Sequence, residues 1–350
     1  MPKIHFFTQQ DNTPPDADAD PAPPPKKKVY HLTNWPQYNN ALIQRGAITL
    51  WLDEQTLAEW YYNGPQLPGG SYRYSDTCIR CALSIKAVLG LAFRQTQGLI
   101  KSLLEVMKLD LRPPSYTQLC RRQAKLTTVF EPPLSPPDGN QPGRGWCGIP
   151  TALHLVVDST GLKVFGEGEW KVRKYGAEKR RTWRKLHLAV DQATNIIHAV
   201  ELTTNAMSDA DMIKPLLAAI EQPITKLGGD GAYDQVKVYD ILIEKQIHPL
   251  IPPRVNAVRW TDETGNDLVH PRNESLSQID AVGLAHWKQQ SGYHRRSLAE
   301  TAMFRWKTTF GDRLSARLLS HQQTETRIKA NCLNRFAQLG MPKTVNRNST

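Results

Sequence analysis

Three acidic residues of this chain stand at positions where a carboxylate can do chemistry. Asp158 comes directly after the apolar run 153–157, and Asp230 follows a second apolar run at 224–227. An acid at the end of a strand is exposed at the sheet margin and held on rigid backbone, as a catalytic ligand must be. Each aspartate alone is also typical of a turn. The third acid, Glu300, lies in a helical segment near the C-terminus.

Carboxylates that converge on one spot repel each other, so cations have to balance them. Two Mg²⁺ or Mn²⁺ ions about 3.5–4 Å apart would supply that balance, activate a water or 3′-hydroxyl, and stabilise the leaving oxygen of a phosphoryl transfer. Carboxylate oxygens, together with substrate phosphate and water, are the ligands that Mg²⁺ prefers. We therefore predict that Asp158, Asp230 and Glu300 are catalytic residues and metal ligands.

The segment around the glutamate predicts a polar ridge along one side of a helix. Four side chains stand at offsets of 0, 3, 7 and 14 residues: Tyr293, Arg296, Glu300 and Lys307. At about 100° per residue these offsets project within an arc of roughly 60°. Apolar residues occupy the opposite side, although Phe304 falls near the ridge and does not fit the pattern. An ordinary amphipathic helix with a solvated charged face is the alternative.

Three motifs of the chain resemble those of a known family. Residues 293–307 match the Y-(2)-R-(3)-E-(6)-K signature of bacterial insertion-sequence transposases of the DDE type. Val156-Val-Asp158-Ser-Thr-Gly161 and Gly229-Asp230-Gly-Ala-Tyr-Asp234 are similar to that family's first and second aspartate motifs. All three occur in the family's order, and the similarity extends over nearly the whole chain from about residue 30.

This resemblance implies a ribonuclease H-like catalytic domain that cuts at the ends of its own element and joins them to target DNA. Asp158, Asp230 and Glu300 would bind the metal. Arg296 and Lys307 would contact DNA near the cleaved phosphate, with Tyr293 supporting that contact. The resemblance also implies a homodimer that holds two element ends.

The segment between the last predicted strand and the glutamate helix has under 45 residues. It is too short for the large inserted β domain of some relatives, which leaves hairpin formation on the flanking DNA open. Trp260 or Trp287 is a candidate to stack on a flipped base, with packing as the alternative. Three other acids are alternative candidates for the metal site: Asp191, Glu169 and Asp209. If one of the three predicted ligands is wrong, Asp191, which lies at a strand end, is the first alternative. Asp211 is explained by a helix-capping box with Ser208.

Composition favours a polyanionic partner. The formal net charge is +11 and the sequence pI about 9.4, which fits nucleic acid or an anionic membrane surface. Residues 171–185 contain eight basic residues and one acidic residue. From Arg295 onward there are eleven basic and three acidic residues. Stripes of this kind are what phosphate neutralisation requires, and a solvated basic surface is the alternative. No apolar run is long enough to cross a bilayer, so a cytoplasmic, nucleoid-associated protein without membrane contact is expected.

The predicted fold class is α/β. Residues 1–28 read as a disordered Pro-rich tail, 29–131 as a helical DNA-binding domain, 132–148 as a linker, 149–320 as a ribonuclease H-like mixed-sheet domain, and 321–350 as a basic tail. The sheet prediction rests on three antiparallel strands followed by helix, strand, helix and strand. Residues 253–290 read as irregular. Cys78 and Cys81 form a C-x-x-C in a helical segment, which favours packed thiols over a zinc site.

The N-terminal helices predict a helix-turn-helix-like DNA reader. Pro113 and Pro114 break the chain, and Ser115 can cap a short basic helix that carries Arg121 and Arg122 as DNA contacts. Any small helical bundle with a basic edge shows the same outline.

Together these features predict a DNA transposase that binds terminal inverted repeats in double-stranded DNA. A metal-dependent nuclease without strand transfer is one alternative. A catalytically defective, transposase-derived DNA-binding protein is the other.

Overall fold

The computed structural model describes residues 30–65, 72–126, 130, 152–164, 183–254 and 256–346. The predicted tail 1–28, the linker 132–148 and the basic run up to Arg181 lie outside the described residues. A small unit holds β1 (Tyr30–Leu32), which pairs antiparallel with β8 (Thr344–Asn346). A large unit, Pro36–Met341, holds the other elements.

The N-terminal part of the large unit is helical, as predicted. The α-helices that the structure describes there are α1 (Trp35–Gln44), α2 (Glu54–Ala58), α3 (Asp76–Val88), α4 (Phe93–Val106) and α5 (Tyr116–Gln123). Side-chain oxygens of Asp53, Ser75 and Ser115 accept hydrogen bonds from the first turns of α2, α3 and α5. Such caps satisfy backbone N–H groups that a helix start leaves free.

The C-terminal part is built around a mixed sheet. Its main strands are β2 (Leu153–Val164), β3 (Trp183–Asp191), β4 (Ile197–Thr204), β5 (Ile224–Gly228) and β6 (His248–Leu250). They lie in the order β4-β3-β2-β5-β6. The first three run antiparallel, while β5 and β6 join parallel to β2. Helices α6 (Ile213–Ala218) and α7 (Val236–Glu244) connect β4 to β5 and β5 to β6, so the predicted order of strands and helices is confirmed.

Side chains of β2 alternate between two cores. Val156 and Leu162 belong to a cluster with the N-terminal helices, whereas Leu155 and Val157 belong to a cluster with α6 and α7. Successive residues of a strand point to opposite faces, so the sheet is covered on both sides. The functional consequence is that even-numbered residues of β2, Asp158 among them, face the first cluster.

The region 253–290, expected to be irregular, contains two helices, α8 (Pro271–Val282) and α9 (Leu284–Gln290). Gly283 separates them with φ of 79°, a backbone conformation that glycine adopts without steric cost. The polar composition of the segment obscured these helices, because α8 buries only part of one side. The expectation of irregular structure is wrong here.

The C-terminal elements are α10 (Ser297–Phe310), the short strand β7 (Arg313–Leu314) and α11 (Leu319–Leu339). The predicted basic tail 321–350 is therefore corrected, because α11 buries twelve residues, among them Ile328, Leu333 and Phe336. These side chains belong to the cluster that also contains the N-terminal helices and one face of the sheet. None of the helices in the described residues, α11 included, is long and apolar enough to span a membrane.

The C-x-x-C pair lies within α3 and is packed, as predicted. Cys78 and Cys81 are buried in the first cluster. Burial raises the pKa of the Cys81 thiol to about 12, and it raises that of Cys78 as well. A thiol with so high a pKa does not readily become the thiolate that binds zinc.

Candidate functional site

The sheet register brings Asp158 beside Asp230. In the parallel pairing of β2 with β5, Val156 lies opposite Gly228. Asp158 lies two residues after Val156, and Asp230 lies two residues after Gly228. Neighbouring strands lie about 4.8 Å apart. The two carboxylates are therefore at the same level on adjacent chain segments, at the carboxyl end of β5.

Asp158 does not end its strand, contrary to the sequence prediction. β2 continues to Val164 and pairs with β3 along this whole stretch. Gly161 lies within the strand, where a Cβ would stand 3.1 Å from the ring of Trp183. The glycine makes room for a neighbouring aromatic side chain, so Asp158 lies in the middle of a continuous strand.

Asp230 does follow its strand, as predicted. Its carboxylate accepts a hydrogen bond of 2.9 Å from the backbone N–H of Ala232 and caps the one-turn 3-10 helix Gly231–Tyr233. At the preceding Gly229, a Cβ would stand 2.8 Å from the ring of Tyr233. A side chain at residue 229 would therefore displace the turn that fixes Asp230.

Glu300 reaches the same side of the sheet from α10. It lies in the first turn of the helix, whose buried residues Ala299, Ala302, Met303 and Trp306 belong to the cluster faced by even-numbered residues of β2. Its side chain is 55% exposed, compared with 20% for Asp158. The glutamate thus stands at the solvent side of the group.

Arg296 connects two of the three carboxylates. Its guanidinium lies 3.5 Å from Oδ2 of Asp158 and donates a hydrogen bond to Oε1 of Glu300. Burial raises the pKa of Asp158, and the nearby carboxylates of Asp230 and Glu300 raise it further. The backbone N–H of Ser159 and the charge of Arg296 act in the opposite direction. Arg296 is therefore the cation that offsets the repulsion within this acidic group.

The predicted polar ridge forms only in part. Tyr293–Arg296 is a 3-10 turn, and the α-helix begins at Ser297. A 3-10 segment has about 3.0 residues per turn instead of 3.6, so Tyr293 and Arg296 do not project as the α-helical offsets predicted. Lys307 stays on the exposed side of α10.

Tyr293 is half-buried beside the carboxylates. Its ring lies 6.1 Å from that of Trp287, and Nζ of Lys288 lies 5.5 Å from the ring centre. Burial raises the pKa of Tyr293, and the neighbouring acids Asp230 and Glu300 raise it further. The phenol therefore stays protonated at neutral pH and can donate a hydrogen bond to an anion.

The two arginines predicted on α5 differ in their surroundings. Arg121 is exposed. Arg122 is buried, donates a 2.8 Å hydrogen bond to the carbonyl of Tyr74 and forms an ion pair with Asp76. Its assignment as a DNA contact is wrong, because the guanidinium is used to tie α5 to the start of α3.

The competing acids have structural partners. Asp191 is buried and accepts hydrogen bonds from the backbone N–H groups of Ala193 and Thr194, which closes the turn after β3. Asp209 lies 3.0 Å from Nζ of Lys185, and burial, which raises its pKa, is outweighed by its hydrogen bonds, so that the pKa is lowered overall. Glu169 lies outside the described residues.

The sequence reading missed the contact of Arg296 with the carboxylates. Its signal was the i, i+4 spacing to Glu300, at which opposite charges meet on a helical face. The contact with Asp158 had no local signal, because 138 positions separate the two residues. Within the part of the chain that the structure describes, no three His, Cys, Asp or Glu side chains are gathered closely enough to hold one metal ion. The donor chemistry, three carboxylates on one side of a sheet, nevertheless suits Mg²⁺ or Mn²⁺.

Comparison with protein-family models identifies one type of domain in this chain. A family model described as a transposase DDE domain matches residues 149–335, and a second model of the same description matches 43–167. A solved piggyBac transposase synaptic complex with hairpin DNA is 11% identical, with a TM-score of 0.41, over 85% of this chain and 76% of that chain. A Drosophila P element transposase strand transfer complex is 12% identical, with a TM-score of 0.29, over 79% and 69%. TM-scores this low do not establish a shared fold.

Proposed function

Because the chain belongs to the transposase DDE domain family, we propose that it cleaves DNA at the ends of its own insertion sequence and joins those ends to target DNA. The observation that carries the proposal is the group of Asp158, Asp230 and Glu300 on one side of the sheet, with Arg296 between two of them. These acids come from three distant parts of the chain and lie on the same side of the sheet, an arrangement that a solvated charged helix face would not require.

The proposed architecture of the catalytic part is ribonuclease H-like. The order β4-β3-β2-β5-β6, with three antiparallel strands followed by two parallel ones, supports it. In this architecture Asp158 lies on the central strand β2, next to Asp230, which follows the parallel strand β5. Glu300 lies on α10, which packs against the sheet.

Asp158, Asp230 and Glu300 are the proposed ligands of Mg²⁺ or Mn²⁺, as two ions. Bound there, the metal would activate the attacking water or 3′-hydroxyl and stabilise the leaving oxygen. Arg296 holds Asp158 and Glu300 in the structure described here, so it must release at least one of them for the carboxylates to turn toward a shared cation. A released Arg296 can bind the phosphodiester with two parallel hydrogen bonds.

Two further side chains are proposed to hold the DNA backbone. Lys307 is exposed two helical turns beyond Glu300 and would contact a phosphate along the same strand. The protonated hydroxyl of Tyr293 would donate a hydrogen bond near the cleaved phosphate. Neither group needs to change its charge, so both orient the substrate without taking up or releasing protons.

The N-terminal helices are proposed to read the terminal inverted repeats. Helices α3 and α4 are joined by four residues, 89–92, with Gly90 at φ of 65°. Two helices joined by a turn of three or four residues with a glycine are typical of helix-turn-helix readers. This geometry favours α4, with exposed Arg94 and Lys101, as the reading helix. Arg121 on α5 would contact the backbone nearby.

The test uses a duplex that carries the element end, a target plasmid, and Mg²⁺ or Mn²⁺. The wild-type protein is expected to yield joined products. Asp158→Asn, Asp230→Asn and Glu300→Gln should each bind the duplex and neither cut nor join it. Glu244→Gln, an exposed acid on α7 at the opposite face of the sheet, is the matched control and should act like wild type.

Two outcomes would favour the alternatives. Nicked DNA without joined products would indicate a nuclease. Binding without cutting by the wild-type protein, with either metal, would indicate a DNA-binding derivative of a transposase. A homodimer on two element ends is the proposed active assembly, and the mass of the DNA complex tests it.

A further inference from the structure

The exposed side of α10 carries an aromatic ring that the proposed function leaves unused. Phe304 is 69% exposed, more than any other Phe, Trp or Tyr in the described residues, and Trp35, the next, is 56% exposed. Phe304 follows Glu300 by four residues and precedes Lys307 by three. At about 100° per residue, these three exposed side chains fall within an arc of about 60°.

The ring lies within a face that is otherwise polar. The remaining exposed residues of the helix are Ser297, Thr301 and Thr308, and Phe304 projects near the middle of the group. A single exposed apolar side chain is common at protein surfaces. Here, however, it stands one helical turn, about 6 Å, from Glu300.

Other aromatic side chains near the site are packed against the protein. Trp306 is fully buried, and Trp287 is 3% exposed and packs on Tyr293. Trp260 packs edge-on against Tyr239, with 5.3 Å between ring centres. Trp260 and Trp287, the candidates for base stacking taken from the sequence, therefore have no free ring face comparable to that of Phe304.

The surroundings of the ring favour nucleic acid over a protein partner. A protein interface would be expected to continue the apolar surface around an exposed ring, and the neighbours of Phe304 on α10 are hydroxyl and charged groups. A cation beside an exposed aromatic ring is the combination that binds the backbone and stacks the bases of single-stranded nucleic acid. Lys307 supplies the cation in this case.

We propose that Phe304 stacks on a base of the nucleotide next to the phosphate that the carboxylates act on. This inference rests on the proposed function and adds a DNA contact to it. Stacking requires a free base face, so the ring would engage an unpaired nucleotide at the element end. It would thereby favour ends that have opened over ends that are fully paired.

The test compares two synthetic duplexes that carry the element end and differ only at the terminal nucleotides, which are paired in one and unpaired in the other. The unpaired base is 2-aminopurine, whose fluorescence falls when it stacks. The variants are Phe304→Ala, Phe304→Leu and Phe304→Trp, and Thr301→Ala is the control on the same face. Affinity is measured at several salt concentrations.

Wild type, Phe304→Trp and Thr301→Ala should prefer the unpaired end and quench the probe. Phe304→Ala and Phe304→Leu should lose the quenching and bind the unpaired end about tenfold more weakly, with an unchanged salt slope, because no charge is lost. Binding to the paired duplex should be the same for all. Circular dichroism and the unfolding midpoint of Phe304→Ala should match wild type, because the ring contributes little buried surface.

The proposal is overturned if Phe304→Ala keeps the preference and the quenching, if wild type shows neither, or if the substitution changes only the protein's oligomeric mass. The last outcome would assign the ring to a protein contact. Joining activity is scored separately. If the wild-type protein joins DNA normally but Phe304→Ala does not change the preference for unpaired ends, only the stacking proposal is rejected. If the wild-type protein does not join DNA but its preference for unpaired ends still depends on Phe304, only the proposed transposase function is rejected.

Discussion

The guanidinium of Arg296 lies 3.5 Å from the carboxylate of Asp158, and both side chains are 20% exposed. The same guanidinium donates a hydrogen bond to Glu300. A cation of the chain therefore occupies the space between two proposed metal ligands. For the proposed metal binding, Arg296 must release at least one of these acids.

Replacement of Arg296 should separate metal binding from catalysis. Arg296→Ala removes the competing cation, so Mn²⁺ should stabilise the DNA-free protein at about two- to fivefold lower concentration, as expected for one partly exposed ion pair. Joining activity should fall, because the variant loses a phosphate contact. Thermal unfolding across a Mn²⁺ titration measures the first effect. Arg259→Ala, which breaks an exposed ion pair with Asp267, is the control, and equal Mn²⁺ dependence of both variants would contradict the role.

Lys307 should contribute to DNA binding through charge. Lys307→Ala should weaken binding at low salt and reduce the slope of log affinity against log salt by about one. The matched control is Lys245→Ala, since Lys245 is exposed just after α7, beyond the opposite face of the sheet. A slope equal to that of wild type would show that Lys307 neutralises no phosphate.

The basic residues of the N-terminal helices should give different results. Arg94→Ala and Lys101→Ala on α4 should lower affinity for the element end more than for unrelated DNA, if α4 reads bases. Arg121→Ala should weaken binding to both sequences alike, as expected for a backbone contact. Competition binding with the two DNA sequences distinguishes these cases, and equal losses on both sequences for the α4 variants would place the reading helix elsewhere.

Arg122 should affect folding and not recognition. Because its buried guanidinium holds Asp76 and the carbonyl of Tyr74, Arg122→Ala should lower the free energy of unfolding by about 3 kcal/mol. Denaturant unfolding measures the loss. A stable variant with specifically reduced DNA affinity would restore the original assignment of this residue to DNA binding.

The buried pair of Glu325 and Lys329 should make stability depend on pH. Their charged atoms lie 2.7 Å apart, and both side chains are 6% exposed. Burial raises the pKa of Glu325, but the ammonium of Lys329 and the backbone N–H groups of Ser315 and Ala316 outweigh it, so the pKa is lowered overall. The carboxylate therefore stabilises the fold above its unfolded pKa of about 4.3, and this contribution is lost as pH falls through the folded value.

Glu325→Gln should lower the free energy of unfolding by about 3 kcal/mol at pH 7, because Lys329 is left buried without its counter-charge. The cost should shrink as the pH approaches the folded pKa from above. Denaturant midpoints at pH 7 and pH 3 measure it, with Glu244→Gln as the exposed control. A cost that stays constant between the two pH values would show that the ion pair does not set the pH dependence.

The site was predictable where its signal was local. The spacing of Arg296 and Glu300, the apolar runs before Asp158 and Asp230, and the cap at Ser115 depend on neighbours within a few residues. Local signals did not show that the strand continues past Asp158, where Gly161 leaves room for the ring of Trp183 from the neighbouring strand.

The sequence by itself determined the order of the sheet strands and of the helices that connect them, and it singled out the three acids proposed for the site, because periodicity, caps and motif spacing are properties of short segments. Only the tertiary structure decided that Asp158 stands level with Asp230, that Arg296 lies between Asp158 and Glu300, and that Arg122 is buried. Strand register and side-chain burial arise from contacts between residues far apart in the chain, and no single segment encodes them.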